Sequence, residues 1–272
     1  MIVDCLAHVH SSFSYDSPTD LGEIAATARR HRIQCVLMSE HNNTLDPVQV
    51  GRLVERCGEV STADCLVVPG LELSLDDNRV HLLAYGVREF IPSLHERSLG
   101  GLIRQVHHAG GVAVLAHPAH KAALTRLDPD DLRGLDGMEI WNIRNGSRFC
   151  PHADELAGLT ALRRRGISMA AFAGLDWHYL RQFERLALRV QVDALRAADV
   201  LTELKAGRFS IHGRFVSFRQ DRNTGVLLRA ASSVSTRTLL PLRRAAYRWQ
   251  ARLEQRGWRA PDALTSVARR IF

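Results

Sequence analysis

The sequence has few cysteines and none spaced as a working pair. Cys5, Cys35, Cys57, Cys65 and Cys150 are odd in number and scattered, with no CxxC. This argues against a disulfide framework, a disulfide-linked partner or a thiolate zinc site, and for reduced core cysteines. Any metal site must therefore use imidazole and carboxylate donors. No apolar run reaches the roughly 18 residues that span a bilayer. The N-terminus lacks a basic region leading into an apolar core and cleavage site, so a cytoplasmic location is expected. GxSxG, Walker and cysteine-nucleophile patterns are missing, as are fixed-period repeats and low-complexity segments.

What is present is an ordinary globular composition, 46% hydrophobic with a mean hydropathy of −0.12. A chain of 272 residues suits one large domain, alone or with an appendage. The charge divides it. From Gly225 to Phe272 ten arginines face only Glu254 and Asp262, so with a formal net charge of +7 the earlier part is close to neutral. The expected division is a domain over residues 1–220 and a basic, mainly helical extension over 221–272.

Along the domain, short apolar runs alternate with amphipathic stretches. "MIVDCLAHVH", "IQCVLMSEH", "CLVVPGLELSL", "RVHLLAYGV", "GVAVLAHP", "GMEIWN" and "ISMAAFAGLDWH" read as strands. "PTDLGEIAATARRHR" (Thr19 or Asp20 at its cap), "DPVQVGRLVERCGEV", "SLGGLIRQVHHAG" and "DELAGLTALRRRG" read as helices. One more helix and strand follow in "VDALRAADVLTELKAGRFSIHG". The alternation predicts an α/β fold built on a parallel sheet or barrel.

His8 and His10 flank Val9 at the end of the first strand. Residues two apart on a strand share a face, so both imidazoles could reach one ion. Alone, the pair could equally be surface chance or two satisfied core histidines. Position adds to it. Glu40 and His41, Glu72, His81, His117, Glu139, and Asp176 and His178 fall at or near the ends of successive strands. In parallel α/β folds that edge is where active sites form.

The series "HVH … SEHN … GLELS … HLLAYG … AHP … MEIWN … GLDWH" resembles the PHP (polymerase and histidinol phosphatase) superfamily over residues 1 to about 220. The resemblance implies a distorted (β/α)7 barrel and phosphoester hydrolysis at a cluster of two or three divalent ions. It implies one ion held by His8, His10, Glu72 and Asp176, with Glu72 bridging to a second held by His81 and His117. Asp16, His41 and His178 would hold a third. The family usually has Asp at the position of Glu40, here expected to support the ligands, and a small residue at Trp177, here expected to narrow or line the cleft.

Imidazole and carboxylate donors suit Zn, Mn, Fe or Ni. Paired ions about 3.5–4 Å apart can clamp a phosphoryl group and activate water, so a metal-bound hydroxide is the expected nucleophile. His120 and Lys121, after "AHP", and Arg144 and Arg148, after "MEIWN", follow strand ends and could bind substrate phosphate. They could equally be solvated loop cations. His31, His95, His107, His108, His152 and His212 are expected to take no part.

The expected activity is hydrolysis of a phosphomonoester, a small phosphorylated metabolite or nucleotide. The alternatives are a 5′–3′ exonuclease on short RNA or DNA and a non-catalytic, metal-stabilised or membrane-peripheral module. In the extension, Leu239, Leu242, Ala246, Trp249 and Leu253 recur at helical spacing beside Arg244, Arg248 and Arg252. The expectation is a helix docking that apolar stripe on the domain. An anionic lipid surface or a nucleic-acid backbone are other partners, though with Tyr247, Trp249 and Trp258 alone the extension offers little base stacking.

Overall fold

The computed structural model describes residues 1–92, 98–118, 120–220, 225–242, 245, 248–249 and 252, and for 120–122 the backbone alone. The order of elements is β1 (Ile2–Val9), α1 (Leu21–Arg30), β2 (Cys35–Met38), β3 (Glu40–His41), α2 (Pro47–Val60), β4 (Leu66–Val68), β5 (Gly70–Leu75) and β6 (Val80–Tyr85). There follow α3 (Leu99–His108), β7 (Val112–Leu115), β8 (Gly137–Asn142), α4 (Ala153–Arg164), β9 (Ala170–Gly174), β10 (Ala187–Gln191), α5 (Ala197–Lys205), β11 (Phe209–His212), β12 (Ser217–Arg219) and α6 (Val226–Val234). Local chemistry sets the helix starts. Asp20 accepts from Gly22 N at 2.7 Å to cap α1. Asp46 and Gln49 form a reciprocal capping box around Pro47 at the first turn of α2.

The strands form two six-stranded sheets, ordered β12-β11-β10-β1-β2-β4 and β3-β5-β6-β7-β8-β9. Two expectations need correction. The sheets are mixed, not parallel: β1 pairs antiparallel with β10, and β6 antiparallel with both β5 and β7. In place of a closed (β/α)7 barrel there are two separate ladders, with no closed barrel among the described residues. Where one strand was expected in "CLVVPGLELSL" there are two. Pro69 has no N–H to donate, β4 ends before it, and β5 begins in the other sheet. Gly70 follows because the backbones nearly touch at this crossing, where a Cβ would lie 2.3 Å from the Met38 carbonyl oxygen. β2 and β3 make the same transfer across Ser39. Beyond β9, Leu175 N donates to Ala7 O (2.9 Å), Trp177 N to His8 O (3.0 Å) and His10 N to Trp177 O (2.9 Å), tying the second sheet to β1.

The extension also departs from expectation. Leu242 and Trp249 are more than half exposed and Leu239 is exposed too, so these members of the stripe are not docked; Ala246 and Leu253 lie outside the described residues. The buried residues of the extension are instead Leu240, next to the predicted stripe, and small polar residues. Ser232 and Ser235 are buried, and Thr236 Oγ1 accepts from Ala153 N at 2.9 Å at the start of α4. No described helix is long and apolar enough to cross a membrane.

Candidate metal centre

The strand ends deliver the predicted donors to one place. β1 supplies His8, the segment just past it His10 and Asp16, β3 His41, β5 Glu72 and β6 His81. The segments just past β7 and β9 supply His117, Asp176 and His178. Three of these residues, His8 (φ 59°), His117 (φ 25°) and Asp176 (φ 55°), have left-handed backbones. Non-glycine residues in sparsely populated backbone regions cost on the order of 1–3 kcal/mol each and persist where the surroundings over-determine them, commonly at functional sites.

Glu72 lies at the centre. Its Oε2 is 3.4 Å from His8 Nε2, 3.4 Å from His10 Nε2 and 3.3 Å from His41 Nδ1. Its Oε1 is 2.5 Å from His81 Nδ1 and 3.3 Å from His117 Nε2. One carboxylate thus faces two groups of imidazoles. Asp16 joins a third, 2.9 Å from His178 Nε2 and 3.4 Å from His41 Nε2. Asp176 Oδ1 is 3.7 Å from His10 Nε2 and 3.9 Å from His8 Nε2. Four triads place their donor atoms within 4.8 Å of one another: His10, His41 and His178; His8, His117 and Asp176; His8, His10 and Glu72; and Glu72, His81 and His117.

The fit to metal ions rests on what these atoms lack. His10 Nε2 is buried without a hydrogen-bond partner among the described residues, the Glu72 and Asp176 oxygens standing at 3.4 and 3.7 Å, a costly state for a polar atom unless something else pairs with it. Burial holds His10 well below the usual imidazole range despite Glu72, and neighbouring His178 and His41 reinforce the shift, so its lone pair is free to ligate. Burial opposes charge on Glu72, but His8, His81 and His117 hold it well below the usual carboxylate range. Asp176 is likewise held down, against burial, by His8, His117 and His10. Burial opposes charge on His8 and His41 as well, but Glu139, Asp176 and Glu72 hold His8, and Asp16 and Glu72 hold His41, above the usual imidazole range. Divalent ions, which require neutral imidazoles and ionised carboxylates, would therefore displace protons from these two rings on binding.

Other residues fix these donors in place. Glu139 Oε1 lies 2.9 Å from His8 Nδ1, which turns Nε2 towards Glu72, and Glu139 Oε2 accepts from His117 N at 3.0 Å. Gly174 makes room for this pair. A Cβ there would sit 2.1 Å from Glu139 Oε1 and 2.6 Å from His8 Cβ. Asn145 Nδ2 donates to Asp176 Oδ2 at 2.7 Å, leaving Oδ1 facing the imidazoles. Glu40 is fully buried and binds no imidazole; it accepts from Ser11 N, Ser11 Oγ (2.6 Å) and Ser14 Oγ (2.5 Å). Ser14 Oγ in turn lies 3.3 Å from His10 Nδ1.

The substrate-binding candidates separate. Arg144 stands half exposed at the cluster, 3.6 Å from Asp176 Oδ1 and 3.8 Å from Asp16 Oδ2. Arg148 pairs with Glu184. The side chains of His120 and Lys121 lie outside the described residues. Trp177 does not line a cleft: it is buried, its ring 5.6 Å from that of Phe183 and its Nε1 donating to Tyr179 O at 2.6 Å. Sequence reasoning assigned no role to Ser11, Ser14, Asn142 or Asn145. Asn142, which closes "MEIWN" and donates from Nδ2 to Glu139 Oε2 at 3.2 Å, and Asn145 three residues on were the available signal.

No protein-family model matches the sequence, and no curated protein matches it. Solved structures do. A two-domain protein from Bacteroides vulgatus containing a predicted PHP-like metal-dependent phosphoesterase is 14% identical, with a TM-score of 0.58 over 78% of this chain and 65% of that one. A lesion-specific endonuclease from Pyrococcus furiosus is 15% identical, with a TM-score of 0.52 over 76% of this chain and 56% of that one. PsfC from Pseudomonas syringae is 14% identical, with a TM-score of 0.52 over 88% of this chain and 99% of that one. The chain thus spans less than two thirds of the first two proteins. The likeness to these three structures is one of fold.

Proposed function

We propose that the protein hydrolyses phosphomonoesters of small metabolites or nucleotides with a cluster of two or three divalent ions, Zn, Mn or Fe. Residues 1–220 would form the phosphoesterase domain, 221–272 an extension, and the setting would be cytoplasmic. The observation that carries the reading is Glu72, whose Oε2 faces His8, His10 and His41 while its Oε1 faces His81 and His117. Ions bound there would supply Lewis acidity towards phosphate oxygens and lower the pKa of water. The chain's own groups do the rest. Glu139 holds the His8 ring in one orientation, and Asn145 fixes Asp176. The half-exposed Arg144 is placed to exchange its carboxylate contacts for a substrate phosphate oxygen.

A nucleoside 3′,5′-bisphosphate and a 5′-phosphorylated pentaribonucleotide, offered together to manganese-loaded protein and followed by mass spectrometry, test this. Loss of phosphate from the bisphosphate is expected. Stepwise shortening of the pentamer would replace the reading with an exonuclease, and silence on both would refute the nucleotide branch.

A further inference from the structure

Tyr15 is 62% exposed beside a cluster whose other members are nearly all buried. An aromatic side chain left in water forgoes one of the larger burial gains a residue can make. The backbone on either side of it is nevertheless pinned. Ser14 Oγ donates to Glu40 and accepts from His41 N at 3.0 Å, and Asp16 is 2.9 Å from His178 Nε2. The Tyr15 ring lies with its centroid 5.1 Å from that of His41, tilted by 31°. Arg144 contacts Asp16, the residue next to Tyr15, and is 41% exposed. The approach to the cluster therefore offers a cation suited to a phosphate and, near it, an exposed aromatic ring held against His41.

We propose that Tyr15 determines specificity by stacking on the leaving group, selecting phosphoesters that carry a planar ring, either a nucleoside or an aryl group. This rests on the phosphoesterase reading above. Stacking on an exposed aromatic platform is worth roughly tenfold in affinity, and it is indifferent to the Tyr15 hydroxyl.

The test compares phenylphosphonate with methylphosphonate, two hydrolysis-resistant anions that differ by the ring, binding by calorimetry to metal-replete wild type, Tyr15→Phe and Tyr15→Ala. Wild type and Tyr15→Phe should favour the phenyl compound by roughly tenfold, and Tyr15→Ala should bring that ratio close to one by losing phenyl affinity. An undiminished ratio in Tyr15→Ala, or no ring preference in wild type, overturns the proposal. If wild type binds neither phosphonate, the phosphoesterase reading fails and the proposal with it, a result distinct from the other two. Values of kcat/KM for adenosine 5′-monophosphate and phenyl phosphate, each relative to glycerol 3-phosphate, separate the sources. A larger Tyr15→Ala loss for the nucleotide assigns the ring to a nucleoside, and a larger loss for phenyl phosphate assigns it to an aryl group.

Discussion

Strand β1 carries buried polar side chains near both ends, and the two ends treat them in opposite ways. Near the start, Asp4 is met by Arg189 of β10, with Nε at 2.7 Å from one carboxylate oxygen and Nη2 at 2.9 Å from the other. Burial works against the charge on Asp4, and the hydrogen-bonded Arg189 outweighs it, holding the carboxyl below its usual range. That pair is complete within the protein. At the far end, His8 and His10 join other imidazoles and carboxylates in a crowd that leaves His10 Nε2 buried without a hydrogen-bond partner among the described residues. The lesson is one of satisfaction. Asp4 finds its partner in the fold, whereas the imidazoles at the far end are held in place around a shared carboxylate.

The largest effects should come from the open end. Replacing Glu72 with Ala removes the carboxylate shared by both groups of imidazoles, and should cost far more than the roughly 10–100-fold typical of outer partners, measured as phosphate release and metal content. Glu139→Gln keeps the volume but weakens the hold on His8, and should lower metal affinity by about 10–100-fold, read by competition with a chelating dye. Gly174→Ala forces a methyl group against Glu139 and His8. It should destabilise by about 1–3 kcal/mol, the usual cost of overpacking, and reduce metal affinity in the same titration.

The closed end should behave differently. Arg189→Ala removes the two short hydrogen bonds to the buried Asp4 carboxylate, leaving only Arg185 Nη2 at 3.5 Å among the described cations, and should cost about 1–3 kcal/mol in urea unfolding while metal content stays that of the wild type. Its pH signature follows from the direction of the Asp4 shift. A carboxyl held below its unfolded value contributes stability that is fully present above that value, near 3.8, and is lost as pH falls through the folded value. Wild-type stability should therefore drop on acidification below about pH 4, and Arg189→Ala should flatten that part of the curve. The smallest effect is expected at the extension. Val226 is 83% exposed, so Val226→Ser should move the unfolding midpoint by less than about 0.5 kcal/mol.

Much of the open end could be read in advance because its signals are local. A strand that ends in His-x-His states the face on which both rings stand, and "LAHP" and "GLDWH" place their histidines at the strand edge. The positioning residues could not be read this way. Glu139 meets His8 across 131 positions of sequence, and no spacing rule reports that contact. The closed end was missed for a related reason. The segment of β10 received no assignment from the sequence, and its Arg189 meets Asp4 across 185 positions of sequence in the antiparallel pairing, a contact that local spacing does not report. Parallel strands were expected from strand–helix alternation, but β5 and β6 are joined by the short turn at Asp76, Asp77 and Asn78, all with left-handed backbones, which suits an antiparallel pair. In the extension, helical periodicity named an apolar stripe but could not say which face would dock, and the buried residues are Ser232, Ser235 and Leu240.

The most direct test of the contrast is metal content by plasma mass spectrometry, after loading with manganese or zinc and exhaustive dialysis, for wild type, His8→Ala and Arg189→Ala. More than one equivalent per chain in wild type and in Arg189→Ala, with a clear loss in His8→Ala, is the predicted result. Wild type that retains no metal, or His8→Ala that retains as much as wild type, would contradict it.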